Sequence, residues 1–155
     1  MERNNHLRRH VASLRQSLID QGYVDEQFIE LEELQDDDTP NFVEEVVTLF
    51  YNDSARLIHN IDHSLEKEPV DFAKLDNYMH QFKGSSSSIG AKKVKTECTQ
   101  FMEYCRAGNV EGRCKRTFQQ LKREYAVLRK KLEVYFQYAR QAGPTESSTT
   151  SCRPK

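Results

Sequence analysis

CKRTFQQLKREYAVLRKKLEVY, residues 114–135, is the stretch that decides the fold. Cys114, Phe118, Leu121, Tyr125, Leu128, Leu132 and Tyr135 follow one another at alternating spacings of four and three, and most residues between them are charged or polar. That period places seven apolar side chains on one face of a helix and leaves the rest of its surface to water. A helix with a single narrow apolar stripe needs neighbours of the same kind, so the flanking sequence is read for more of them.

They are present on the N-terminal side. Leu7, Val11, Leu14 and Leu18 define a first helix that stops at Asp20 to Gly22, and Asp25 is placed to cap a short second helix carrying Phe28, Leu31 and Leu34. After the acidic run Asp36 to Asp38, Thr39 followed by Pro40 matches an N-cap with proline in the first helical position, predicting the start of a long third helix there. Its stripe is Val43, Val46, Phe50, Leu57 and Ile61, with Val47, Ile58 and Leu65 beside it, up to Glu68-Pro69. Asp71 leads a fourth helix with Phe72, Leu75, Met79 and Phe82 on one face, ended or bent at Gly90. Val94, Cys98, Phe101 and Cys105 define a fifth before the Gly108-Asn109 turn. Long helices three to six, joined by short turns, predict an all-α fold: an antiparallel up-and-down four-helix bundle with two additional N-terminal helices. The domain is expected over residues 1–141, and the Ser/Thr-rich stretch 142–155, with little to bury, reads as a disordered tail.

Composition narrows the function classes. At 155 residues, 37% hydrophobic and 30% charged, the chain suits one core, and no apolar run reaches the roughly eighteen residues of a membrane span. From Asp25 to Asp76 sixteen acids face three bases, whereas from Asn77 to Lys131 thirteen bases face four acids. The basic half lacks interleaved exposed aromatics or a binding motif, so nucleic acid is not the expected partner. Cys98, Cys105, Cys114 and Cys152 form no CxxC pair and read as reduced thiols in preference to a zinc site or a disulfide.

Fold alone does not specify chemistry. The unusual segment is Met79-His-Gln-Phe-Lys-Gly-Ser-Ser-Ser-Ser-Ile-Gly90. At about 100° per residue, His80 lies roughly 120° from the centre of the apolar face, which points it to solvent. Lys83 falls between the histidine and the core stripe, Gly84 one turn beyond His80, and Asp76 one turn before it. Glycine inside a helix costs about 1 kcal/mol relative to alanine, so a function other than helix stability is served. A gap beside an exposed imidazole admits another protein's surface, and Lys83 supplies positive charge for a phosphoryl group on the ring. Ser87 is the serine best placed to hydrogen-bond phosphoryl oxygens. Neutral imidazole is available near pH 7 as a nitrogen nucleophile.

His80-Gln81-Phe82-Lys83-Gly84-Ser85-Ser86-Ser87-Ser88-Ile89-Gly90-Ala91 resembles the phosphorylation segment of plant histidine-containing phosphotransfer proteins, HQ-x-KGSS-x-SIGA, without a break. The similarity runs from the first helix to about Gln141. The resemblance implies that His80 accepts a phosphoryl group from the receiver-domain aspartate of a hybrid sensor histidine kinase and passes it to a response regulator, as in cytokinin signalling. It further implies no kinase activity in this chain, no cofactor beyond the magnesium of the partner receiver domain, and residence in cytoplasm and nucleus. Asp76, Gln81, Phe28 and Leu31 are candidate docking residues, and a monomer without nucleic-acid or membrane partners is expected. Three alternatives weigh less. His6 with His10, and His59 with His63, are i,i+4 pairs without a third metal ligand nearby, and the Glu-x-x-His units of a di-iron bundle are missing. A helical adaptor that binds receiver domains without carrying phosphate is the competing function.

Overall fold

The structure, a computed structural model, describes residues 2–108 and 110–143. Six α-helices follow one another: α1 (Glu2–Asp20), α2 (Glu26–Leu34), α3 (Phe42–Glu66), α4 (Phe72–Ile89), α5 (Lys92–Arg106) and α6 (Lys115–Ala142), with a π-helical turn over Val110–Cys114 leading into α6. No strand occurs among the described residues. α3 packs on α4, α4 on α5, α5 on α6, and α6 closes the ring against α3, giving the predicted four-helix bundle. α1 lies along α6, and α2 spans α3 and α4.

The seven residues of the α6 stripe are all buried, as are Val94, Cys98, Phe101 and Cys105 of α5. Beneath α4 the core is aromatic: Phe82 meets the Tyr125 ring edge-on at 6.3 Å, and Tyr125 lies 5.9 Å from Phe50 of α3. Burial of such side chains contributes about 1.5–3 kcal/mol each, which holds α4 in one rotation about its axis. One polar network pins the N-terminal helices to the bundle. Arg15 Nε of α1 donates to Glu32 Oε1 of α2 at 2.7 Å, and the Tyr135 hydroxyl of α6 donates to the same carboxylate. Burial pushes the Tyr135 phenol above its ordinary range, and the Glu32 charge adds to the rise.

Three expectations need correction. α3 begins at Phe42 with Asn41 as its cap, two residues after the expected start. Asp36 takes the Thr39 amide and hydroxyl, both at 3.0 Å, so Thr39 is held in a turn, and the Val43 amide is capped from outside by Gln35 Oε1 at 3.0 Å. Phe72 is 39% exposed. Its angle fits the stripe, but it is the first residue of α4 and lies at the end of the packed layers. Ala142 is buried as the last residue of α6, one residue past the expected domain boundary, while 144–155 of the expected tail lie outside the described residues.

The α4–α5 junction fixes the far end of the segment singled out above. Gly90 caps α4 with φ of +75°, and its carbonyl accepts the Asp25 amide at 3.0 Å. A Cβ there would lie 2.5 Å from Asp25 Oδ1 and 2.8 Å from the Phe28 backbone nitrogen, so the start of α2 sits where any side chain would. Gly90→Ala is expected to lose about 2 kcal/mol from backbone strain alone, with the steric conflict on top. Gly108→Ala, at a similar φ of +77° but with open space around its Cβ, is the control that carries strain only. Denaturant midpoints of the two variants check this: equal losses would mean that α2 does not press on Gly90.

Candidate functional site

α4 is built to present one face inward and His80 outward. Asp71 caps the helix by accepting the Lys74 amide at 3.1 Å. Leu75, Met79, Phe82, Ser86 and Ile89 are buried, at spacings of four, three, four and three. His80 is exposed on the other side, and among the described residues its imidazole makes no hydrogen bond, ion pair or ring contact. Gln81 beside it is exposed as well. A Cβ added at Gly84, one turn further on, would meet nothing within 4 Å. The ring therefore stands next to a strip of bare helix backbone open to solvent.

Lys83 is half-buried on the side of α4 that turns toward α5. It has no carboxylate partner among the described residues, so its charge is uncompensated by direct pairing. Its field reaches Cys98 of α5: burial pushes that thiol well above its ordinary range, and the Lys83 ammonium opposes the rise. Asp76, one turn before His80, is engaged by Arg106 of α5, whose Nε and Nη2 donate to Oδ1 and Oδ2 at 3.2 and 3.4 Å. The pairing of Arg106 with Asp76 is not readable from the sequence. It spans thirty positions and follows from the packing of α4 on α5, which no local pattern reveals.

The serine run divides by helical angle. Ser86 is fully buried with no hydrogen-bond partner for its hydroxyl, and its small size lets neighbouring helices pack closely. The Ser88 hydroxyl donates to the Ser85 carbonyl at 2.7 Å. Ser87 is half-buried on the next turn beyond Lys83 and Gly84.

Phe28 and Leu31 are corrected as docking candidates. Phe28 is 0% and Leu31 7% exposed, and the Phe28 ring packs edge-on against Tyr135 at 5.8 Å. Both belong to the core because α2 turns its apolar face onto the bundle; the apolar side chain it leaves outside is Leu34, 65% exposed. His59 and His63 stack on the surface of α3, His10 packs edge-on against Tyr138, and no cluster of three or more His, Cys, Asp or Glu suited to a metal ion occurs among the described residues.

Chemically, the patch offers an unencumbered nitrogen nucleophile, one nearby cation and an open approach. It has the shape of a surface that another protein covers. A groove of about 400 Å³ does exist, between α1 and α6 and lined by Leu14, Leu18, Lys131 and Val134, but His80 is not part of its wall. No helix among the described residues is long and apolar enough to cross a membrane.

Comparison with known proteins converges on this fold and one family. The Hpt domain model matches residues 45–131. Histidine-containing phosphotransfer protein 4 of Arabidopsis thaliana is 73% identical over 117 residues, covering 76% of this chain and 91% of the relative. Pseudo histidine-containing phosphotransfer protein 5 of Oryza sativa subsp. japonica is 57% identical over 149 residues, covering 96% and 97%. Among solved structures, a histidine-containing phosphotransfer protein from Medicago truncatula superposes with a TM-score of 0.82 at 43% identity, over 88% of this chain and 92% of that one. The chain belongs to the plant histidine-containing phosphotransfer family.

Proposed function

We propose that this chain is a phosphorelay carrier whose acceptor is His80: it takes a phosphoryl group from the receiver-domain aspartate of a hybrid sensor histidine kinase and delivers it to the aspartate of a response regulator. One observation carries the assignment to His80. Its imidazole is exposed and, among the described residues, without a partner, beside the open strip at Gly84, on a helix whose opposite face is locked into the core.

An imidazole nitrogen attacks the phosphorus of an aspartyl phosphate; the N–P bond forms as the acyl O–P bond breaks, and the aspartate leaves as carboxylate. Onward transfer is the reverse step with a second receiver. Phosphoryl transfer of this kind depends on alignment and charge neutralisation more than on covalent assistance. This chain supplies the alignment through the rigid α4 and part of the neutralisation through Lys83. Magnesium and its ligands are assigned to the receiver. Asp76, the carboxylate on the His80 patch, is paired with Arg106.

On this reading the chain has no kinase activity, acts as a monomer through transient and salt-sensitive complexes, binds neither nucleic acid nor membrane, and resides in cytoplasm and nucleus. Gln81 and Asp76, at the rim of the patch, are assigned to docking, and Ser87 to hydrogen bonding of phosphoryl oxygens.

The test is transfer of label from a phosphorylated receiver domain in the presence of magnesium. The bound label is expected to be acid-labile and base-stable, the signature of phosphohistidine. Binding without label would instead establish an adaptor, a reading kept open by rice relatives named as pseudo forms, 57% and 61% identical to this chain. Lys83→Ala is expected to slow acceptance by about two- to fivefold, the worth of one solvent-screened charge interaction, measured as the initial rate of labelling at low salt. A rate equal to the unsubstituted protein's would remove Lys83 from the site.

A further inference from the structure

Phosphoryl transfer leaves the cysteines unused, yet the fold presses two of them together. Cys105 on the last turn of α5 and Cys114 at the entry to α6 bring their sulfurs to 3.1 Å of each other. Both are buried, at 4% and 0% exposure, and the chain between them turns at Gly108 and then winds into the π-helical Val110–Cys114. A disulfide bond is about 2.05 Å long, so roughly 1 Å of closure separates the contact from a covalent bond. π-Helical turns are local insertions in an α-helix that are frequent at functional sites, and this one supplies the segment that would adjust. A metal would need three or four ligands, and no such cluster lies among the described residues. The chemistry open to two thiols in contact is a bond between them.

We propose that Cys105 and Cys114 form a reversible oxidation site, converted by a hydroperoxide into an intramolecular disulfide that staples the end of α5 to the start of α6. The thiolate of one cysteine attacks the outer peroxide oxygen, the O–O bond breaks, and the remaining oxygen leaves as an alcohol or water after gaining a proton. The resulting sulfenic acid is attacked by the sulfur of the other cysteine, which expels water as the S–S bond forms. In sum, two thiols and one hydroperoxide give one disulfide, one alcohol and one water. Burial pushes both thiols above their ordinary range, and the two sulfurs are equivalent in this chemistry: either can take the peroxide oxygen, and the other then closes the bond. Oxidation is correspondingly slow compared with that of an exposed, acidic thiol. The staple falls next to Arg106, the residue that links α5 to Asp76 on the His80 helix. It thereby fixes the far support of the phosphoryl-acceptor face.

The experiment uses the full chain with Cys98→Ala and Cys152→Ser, leaving only the pair. After mild excess hydrogen peroxide and maleimide block, the intact mass is expected to show loss of two hydrogens and no maleimide, reversed by dithiothreitol. The melting temperature of the oxidised form is expected to rise by about 5 °C or more, as for closure of a short loop. Two maleimides per chain, oxygen added to an unlinked sulfur, a disulfide-linked dimer, or an unchanged melting temperature would each overturn the proposal. Should the double variant fail to fold, the natural chain decides: non-reducing peptide mapping is expected to join Cys105 to Cys114, and a bond to Cys98 or Cys152, or no bond, overturns it.

Discussion

His80→Gln is expected to reduce phosphoryl acceptance to background, a loss of more than a thousandfold by the scale on which removal of a nucleophile acts, while folding is left intact. The side chain touches nothing that would be lost, since His80 is exposed and unpartnered among the described residues. Glutamine is at least as good a helix former as histidine, and surface changes of this kind stay within about 0.5 kcal/mol. The circular dichroism spectrum and denaturant midpoint should therefore match those of the unsubstituted protein, so the loss of label has one cause. The other described histidines give the experiment its force. His59 and His63 stack on the surface of α3, His10 packs against Tyr138, and His6 lies on α1, each an exposed imidazole of the same intrinsic chemistry. Full labelling of His80→Gln would move the acceptor to one of them. Labelling of the natural chain at His80 alone would show that the surroundings, and not exposure, select the nucleophile.

What was legible in the sequence is what depends on period. Cys114 to Tyr135 on α6 and Leu75, Met79 and Phe82 on α4 are buried because a stripe repeating at three and four can face only one way. The same arithmetic turned His80 outward. Legibility ended where position along a helix, or a contact between helices, mattered more than angle. Phe72 has the angle of a core residue and the axial position of an end residue. Phe28 and Leu31 read as a free apolar patch until α2 is seen to lie against the bundle with Phe28 on Tyr135. The start of α3 is displaced because Asp36 holds the Thr39 amide and hydroxyl in a turn, and Gln35, outside the helix, caps the Val43 amide instead. Arg106 on Asp76 and Cys105 on Cys114 are products of the α4–α5 and α5–α6 packing, so neither pairing has any local signature.

Gly84 is the position where angle and function meet, and substituting it separates stability from transfer. Gly84→Ala should fit without strain, because the space around its Cβ is empty and its backbone is ordinary helix; it is expected to gain about 1 kcal/mol of stability and to keep most of its transfer rate. Gly84→Leu shares the helix gain, since leucine is also a strong helix former, yet its branched side chain occupies the strip beside the His80 ring. An in-line reaction requires the receiver's phosphoryl group to approach that ring within about 3–3.5 Å, and displacement by about 1 Å can cost 10²-fold. Gly84→Leu is thus expected to transfer about 10²-fold more slowly while melting at a higher temperature than the natural chain. A loss of function that accompanies a gain of stability cannot come from unfolding. Rates measured against receiver concentration locate the defect: a raised half-saturation with unchanged maximal rate means blocked docking, and a lowered maximal rate means docking with misalignment. If Gly84→Leu transfers as fast as Gly84→Ala, the open strip beside His80 is not an approach path, and the helix has kept its glycine for some reason other than the visiting partner.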